Sequence, residues 1–211
     1  SEDIQVEQPA IDLFDDLGWE TINAYEEVLA TEEDAGTLGR ETRDEVVLRP
    51  RLRSKLKEFN PEVPEEQIDE AIRQLSRDRS STHWVRANKQ IYDLMRDGVD
   101  VEYRDENGSM IRKTLQVVDW QQPENNDHLL VSQLWVHGDY GNKRPDLVAF
   151  VNGLPVILFE LKKTGRSVKD AYQYNISDYK DTIPQLFWYN QVIILSNGAD
   201  TKVGTITSPW E

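Results

Sequence analysis

Cysteine is absent from the 211-residue sequence, which excludes disulfides and thiolate metal sites. The three histidines, His83, His128 and His137, lack the spacing of a zinc site, so any bound metal would need oxygen ligands. Long apolar runs are missing too. None approaches the roughly 20 residues that span a bilayer, and the acidic start has neither the basic opening nor the apolar stretch of a signal peptide. No membrane partner is therefore expected, and a cytoplasmic location is. A Gly-x-x-x-x-Gly-Lys-Ser/Thr phosphate loop is likewise absent, so ATP binding cannot be assigned to these residues. Basic residues are few, 24 Lys and Arg against 39 Asp and Glu, and the net charge of −15 argues at first sight against a nucleic-acid partner. The distribution of charge weakens that objection. Residues 1–39 hold twelve acids and no Lys or Arg, whereas residues 143–180 hold seven Lys or Arg against four acids. The acidic excess reads as a solvated N-terminal face, apart from the segment that carries the chemistry.

What is present suffices for a folded domain: 38% of residues are hydrophobic, with six Trp, eight Tyr and five Phe. The length allows one domain with a substantial core, or a core with a helical appendage. Ala10, Ile11, Phe14 and Leu17 recur at helical spacing and predict a short amphipathic helix over 6–17, ended by Gly18. A loop is expected over 30–39. Helices are expected over 43–59 and 64–76, split by Asn60-Pro61 and forming a peripheral hairpin, and over 84–96, stopping at Gly98. The chain thus divides into an N-terminal helix and acidic loop belonging to the core (1–39), a helical hairpin insertion (40–80) and the main core (81–211). From Val99 the apolar period shifts to two, with a turn at Asp105-Glu106-Asn107-Gly108. Strands are expected over 99–103, 111–120, 129–137, 146–151 and 155–162 as an antiparallel run of hairpins. A helix over 167–182, with Ser167 as N-cap and Asp170 in capping-box position, leads to a strand over 191–195 with 201–207 as its hairpin partner. Such a β-helix-β passage places its strands parallel in one sheet. The expected class is α/β (α+β), a central mixed sheet flanked by helices.

The informative segment is KRPDLVAFVNGLPVILFELKK, residues 143–163. Alternation places Glu160 and Lys162 on one face of a strand whose other residues are apolar, so charges stand at the end of a buried strand. Burying them costs several kcal/mol unless each is paired or bound to a metal. Asp146 starts the preceding strand, and the Asn152-Gly153 turn folds it back towards Glu160. An ideal two-residue Asn-Gly loop would pair Asp146 with Phe159 and put the two carboxylates on opposite faces. A three-residue loop over Asn152, Gly153 and Leu154, or a bulge near Pro155, pairs Asp146 with Glu160 instead, and the longer loop is the one expected. Two carboxylates on one face suit magnesium, which retains waters and takes a phosphate oxygen, with the Leu161 backbone carbonyl as a further ligand. Lys162 would orient a nucleophile and offset developing charge. The alternative for the bare pattern is an edge-of-sheet salt bridge between Lys162 and Asp146 or Glu160.

The strings RPDLVAFVNGLPVILFELKK and DTIPQLFWYNQVIILSNG resemble the N-terminal nuclease domain of the restriction subunit of type I restriction-modification enzymes. The similarity is dense from about 99 to 207, and EQPAIDLFDDLGWE resembles the family's opening helix. The resemblance implies the restriction-endonuclease-like PD-(D/E)xK fold, with the motif on Pro145-Asp146 and Glu160-Leu161-Lys162, and a magnesium-dependent endonuclease acting on duplex DNA. It implies that Glu7 approaches the site. It aligns the family's Gln-x-x-x-Tyr helix motif with Asn175 and Tyr179, although Gln173 lies two residues earlier. Lys163, Arg166 and Lys169 are expected phosphate contacts. The resemblance also implies an ATP-driven translocase elsewhere in a longer subunit, and methyltransferase and specificity subunits as partners, so the chain is expected to be a fragment. Two alternatives stand beside this one: another nuclease of the same fold, such as a repair exonuclease, and a catalytically silent module docking a translocase.

Overall fold

A computed structural model describes residues 6–210; residues 1–5 of the expected N-terminal element and Glu211 lie outside the described residues. Helix α1 (Gln8–Asp16) carries Pro9 in its first turn, where a missing N–H costs nothing, and ends before Gly18, whose φ of 83° suits only glycine comfortably. A four-residue strand, β1 (Glu20–Asn23), follows; it is too short to leave a periodic trace in the sequence. Residues 30–39 form a loop, as expected. Helix α2 (Arg49–Phe59) begins six residues later than the apolar pattern suggested. Pro50 belongs in a helix's first turn, and the preceding residues are engaged elsewhere: Arg43 O accepts from His137 N, and Leu48 N donates to Gly153 O. Helices α3 (Glu65–Ser76) and α4 (Trp84–Asp97) follow the expected boundaries closely.

The strands depart from a single antiparallel run. Strands β2 (Val99–Arg104) and β3 (Met110–Leu115) pair only with each other, and β5 (Val136–Gly138) and β6 (Gly141–Lys143) form a second separate ribbon. The main sheet has six strands in the order β1-β4-β7-β8-β9-β10, where β4 is His128–Ser132, β7 Leu147–Val151, β8 Leu154–Leu161, β9 Val192–Ser196 and β10 Thr201–Gly204. The expected strand over 129–137 breaks at Gln133, whose φ of 58° turns the chain out of the sheet. Pairing is parallel for β1 with β4 and for β8 with β9, and antiparallel elsewhere, so the sheet is mixed. The β8-to-β9 crossover runs through α5 (Val168–Asp170), a π-helical stretch (Ala171–Ile176), α6 (Ser177–Thr182) and the short α7 (Pro184–Phe187). Ser167 Oγ accepts from Lys169 N, as an N-cap does.

Both faces of the sheet are covered, consistent with a restriction-endonuclease-like fold. On one face, α1 sets Ala10, Ile11 and Phe14 over Leu130, Leu147, Ala149, Phe159 and Leu161, with Phe14 edge-on to Phe159 at 5.5 Å. The opposite face carries the larger cluster, in which Leu129, Val131, Val148, Phe150 and Leu158 meet α4, α6 and α7. The α2–α3 hairpin is not peripheral to it: Leu52, Leu56, Ile68, Ala71, Ile72 and Leu75 are buried in that same cluster. Among the described residues, no helix is long and apolar enough to cross a membrane.

Candidate active site

The pairing directions bring the C-terminal ends of β1, β4, β8 and β9 and the N-terminal end of β7 to one end of the sheet. Asp146 and Glu160 meet there because of a register correction. The loop between β7 and β8 has two residues, Asn152 (φ 52°) and Gly153 (φ 79°), not the expected three, and Val151 faces Leu154. Two positive φ angles make this the tight hairpin whose twist matches the strands. Asn152 is fully buried and locked, donating to Val117 O at 2.9 Å and to Asn126 Oδ1 at 2.8 Å while accepting from Asp127 N at 2.7 Å. Gly153 is pressed on α2, so that a Cβ there would lie 2.5 Å from Leu48 O. The compensating residue is a bulge in β8. Phe150 faces Pro155, but Ala149 faces Ile157, so Val156 is extra, and Leu147 comes opposite Phe159. Continuing that register sets Asp146 against Glu160, on the face shared with Val148 and Leu158.

Glu160 is 2% exposed. Its Oε1 accepts from Lys162 Nζ at 3.0 Å and its Oε2 from the Tyr179 hydroxyl at 3.0 Å. Burial foremost, and then the Asp146 carboxylate, push its pKa up to about 8, against the opposing pull of Lys162 and Tyr179. Asp146, half-buried, accepts the Leu161 backbone N–H on Oδ2 at 2.7 Å, which ties the start of β7 to the end of β8. Tyr179 is buried on α6, and Asn175 hydrogen-bonds it from one turn earlier; burial and the neighbouring Glu160 raise the phenol well above its ordinary range. The π-helical stretch adds a residue's rotation before α6, and such stretches recur at functional sites. The Gln173 side chain is exposed and among the described residues makes no hydrogen bond, so Asn175 rather than Gln173 joins the site.

Glu7 is 6% exposed, and both its carboxylate oxygens accept from Gln133 Nε2, at 3.0 and 2.9 Å. Gln133 N donates to Asp146 O at 2.9 Å, so one residue connects Glu7 to Asp146. Gln133 was missed in the sequence; it follows β4 without a motif, and only its left-handed backbone and its two partners reveal it. Lys163, Arg166 and Lys169 are exposed on the loop after β8 and at the start of α5, close in sequence to the site.

The donor set fits a hard dication. A carboxylate whose acidity is suppressed by burial and then by a second carboxylate lacks positive charge, and Lys162 supplies it only in part. Among the described residues, no group of three or more His, Asp or Glu side chains is arranged to hold a metal. An ion would therefore rest on Asp146 and Glu160 with backbone and water oxygens, as magnesium commonly does.

A family model described as "Type I restriction enzyme R protein N terminus" matches residues 1–211. The chain belongs to that family. Relatives include the type I restriction enzyme HindI endonuclease subunit of Haemophilus influenzae, 35% identical over 98% of this chain and 19% of its own length. The putative type I restriction enzyme MjaIXP endonuclease subunit of Methanocaldococcus jannaschii is 32% identical over 100% of this chain and 20% of its own. The chain thus spans about a fifth of the length of those relatives.

Proposed function

We propose that this chain is the magnesium-dependent endonuclease domain of a type I restriction enzyme, hydrolysing DNA phosphodiester bonds at Asp146, Glu160 and Lys162. The observation that carries the reading is the bulge in β8, which brings two carboxylates to one face beside a lysine. Asp146, Glu160 and the Leu161 carbonyl would hold the ion, which when bound supplies the charge that activates a water and neutralises the phosphoryl group. Lys162, released from Glu160, holds the attacking water and offsets charge on phosphate oxygens. Water oxygen bonds to phosphorus as the bond to the leaving sugar oxygen breaks. Tyr179 keeps Glu160 Oε2 in place, and Asn175 holds Tyr179. Glu7 steadies the Asp146 end through Gln133, while Lys163, Arg166 and Lys169 offer exposed charge to flanking phosphates.

In the whole subunit, ATP-driven translocation would lie outside this fifth of the length, and the methyltransferase and specificity subunits would direct the enzyme to its DNA. Asp146→Ala, Glu160→Ala and Lys162→Ala should each abolish DNA cleavage by the assembled enzyme while leaving ATP-driven translocation intact. The losses should be on the order of several kcal/mol each and should not add, since the three act as one unit. A variant that cuts normally removes its residue from the mechanism, and a chain that binds no magnesium in a calorimetric titration refutes the reading as a whole.

A further inference from the structure

Arg144 stands two residues before Asp146. Its guanidinium lies 4.9 Å from the ring centre of Tyr25, just beyond β1, and 5.0 Å from that of Trp135, just beyond β4. Two aromatic rings therefore hold the cation, and both follow strands that end at the same end of the sheet as Asp146 and Glu160. Among the described residues Arg144 forms no ion pair with a carboxylate, and none of its side-chain N–H groups donates a hydrogen bond. Arg51, Arg53 and Arg96, by contrast, are each paired with acids.

Pro145 disfavours helical backbone at Arg144, and the chain bends at Asp146 before it enters β7. Arg144 is thus close to Asp146 along the chain, and the rings that hold its cation follow strands ending where Asp146 and Glu160 meet. A guanidinium whose planar faces are held against rings keeps its donor edge in a fixed direction, and that edge matches two phosphate oxygens at once. We propose that Arg144 is a preset phosphate clamp, which takes the DNA phosphate flanking the one positioned at Asp146 and Glu160. The proposal rests on the nuclease reading and deepens it. Tyr25 and Trp135 act by orienting the clamp, and neither needs to touch DNA.

The test is a fluorescence-anisotropy titration of a short duplex with the 211-residue chain at several salt concentrations, with calcium in place of magnesium. Arg144→Gln removes the charge. It should reduce the slope of log affinity against log salt by about 0.9, the value of one phosphate contact, which is about eightfold in affinity across a tenfold change in salt. Arg144→Lys should keep the slope with weaker binding. Trp135→Leu should do the same, because the charge remains and only its orientation is lost. An unchanged slope in Arg144→Gln, or a slope lost equally in Trp135→Leu, overturns the proposal and shows the stack to be structural. So does a wild-type chain without salt-dependent binding. None of these results depends on cutting, so cleavage lost in Asp146→Ala with the slope unchanged in Arg144→Gln leaves the nuclease reading in place without the clamp.

Discussion

Replacing Glu160 by glutamine should make the metal-free protein more stable at neutral pH. The folded-state pKa of Glu160 is about 8 against an ordinary 4.5, so the unfolded chain releases this proton far more readily than the native one. A carboxyl group raised in the fold contributes its full share of stability below the unfolded value and loses it as pH rises from 4.5 through 8, because over that window the unfolded state binds fewer protons. At pH 7 the separation amounts to about 3 kcal/mol, and above pH 8 to about 5 kcal/mol. Glutamine stays neutral at every pH and imitates the protonated acid. Its amide oxygen can accept from Lys162, and its NH₂ can donate to a Tyr179 hydroxyl turned to accept. Denaturant melts of both proteins in a chelator between pH 5 and 9 should start close together and diverge, with Glu160→Gln ahead by about 3 kcal/mol at pH 7. Magnesium should reverse the order, stabilising wild type by mass action while leaving the variant unmoved. A variant no more stable than wild type at pH 8 without metal would refute the argument, since it would mean that the carboxylate is not held against its charge.

Tyr179→Phe should move the Glu160 pKa further up and weaken magnesium binding, because Oε2 loses a charge-assisted donor of about 1.5–3 kcal/mol; an unmoved pH profile of cleavage in the assembled enzyme would dismiss the contact. Gly153→Ala should lower stability by more than about 1 kcal/mol, since its φ is 79° and the new Cβ would lie 2.5 Å from Leu48 O. Thermal melting reads that loss, and a melting point equal to wild type would show that α2 yields. The 211-residue chain alone should bind duplex DNA weakly and cut it poorly even with magnesium, because its charge of −15 repels a polyanion and few counterions are released on binding. Tight binding with efficient cutting would show that it needs no partner to deliver DNA.

Alternation and punctuation in the sequence determined much of this protein by themselves. The faces of β8, the helix ends at Gly18 and Gly98, the N-cap at Ser167 and the parallel crossover from β8 to β9 all follow from local rules, because side-chain period and backbone freedom are properties of a few adjacent residues. The grouping of Asp146 with Glu160 and Lys162 was legible in the same way, apart from how the register closes. Tertiary structure decided the rest. The choice between a longer loop and a bulge fell to the bulge, because buried Asn152 and the α2 backbone against Gly153 leave room only for the tight turn. Strands β2 and β3 read like members of one meander, and β5 like the end of a strand over 129–137, but strand period does not say which neighbour a strand pairs with. Strand β1 finds its partner 109 residues away in β4, and Gln133, which bonds Asp146, reaches Glu7 across 126 residues of sequence. Pairings of that range depend on the whole chain being packed, and no local pattern encodes them.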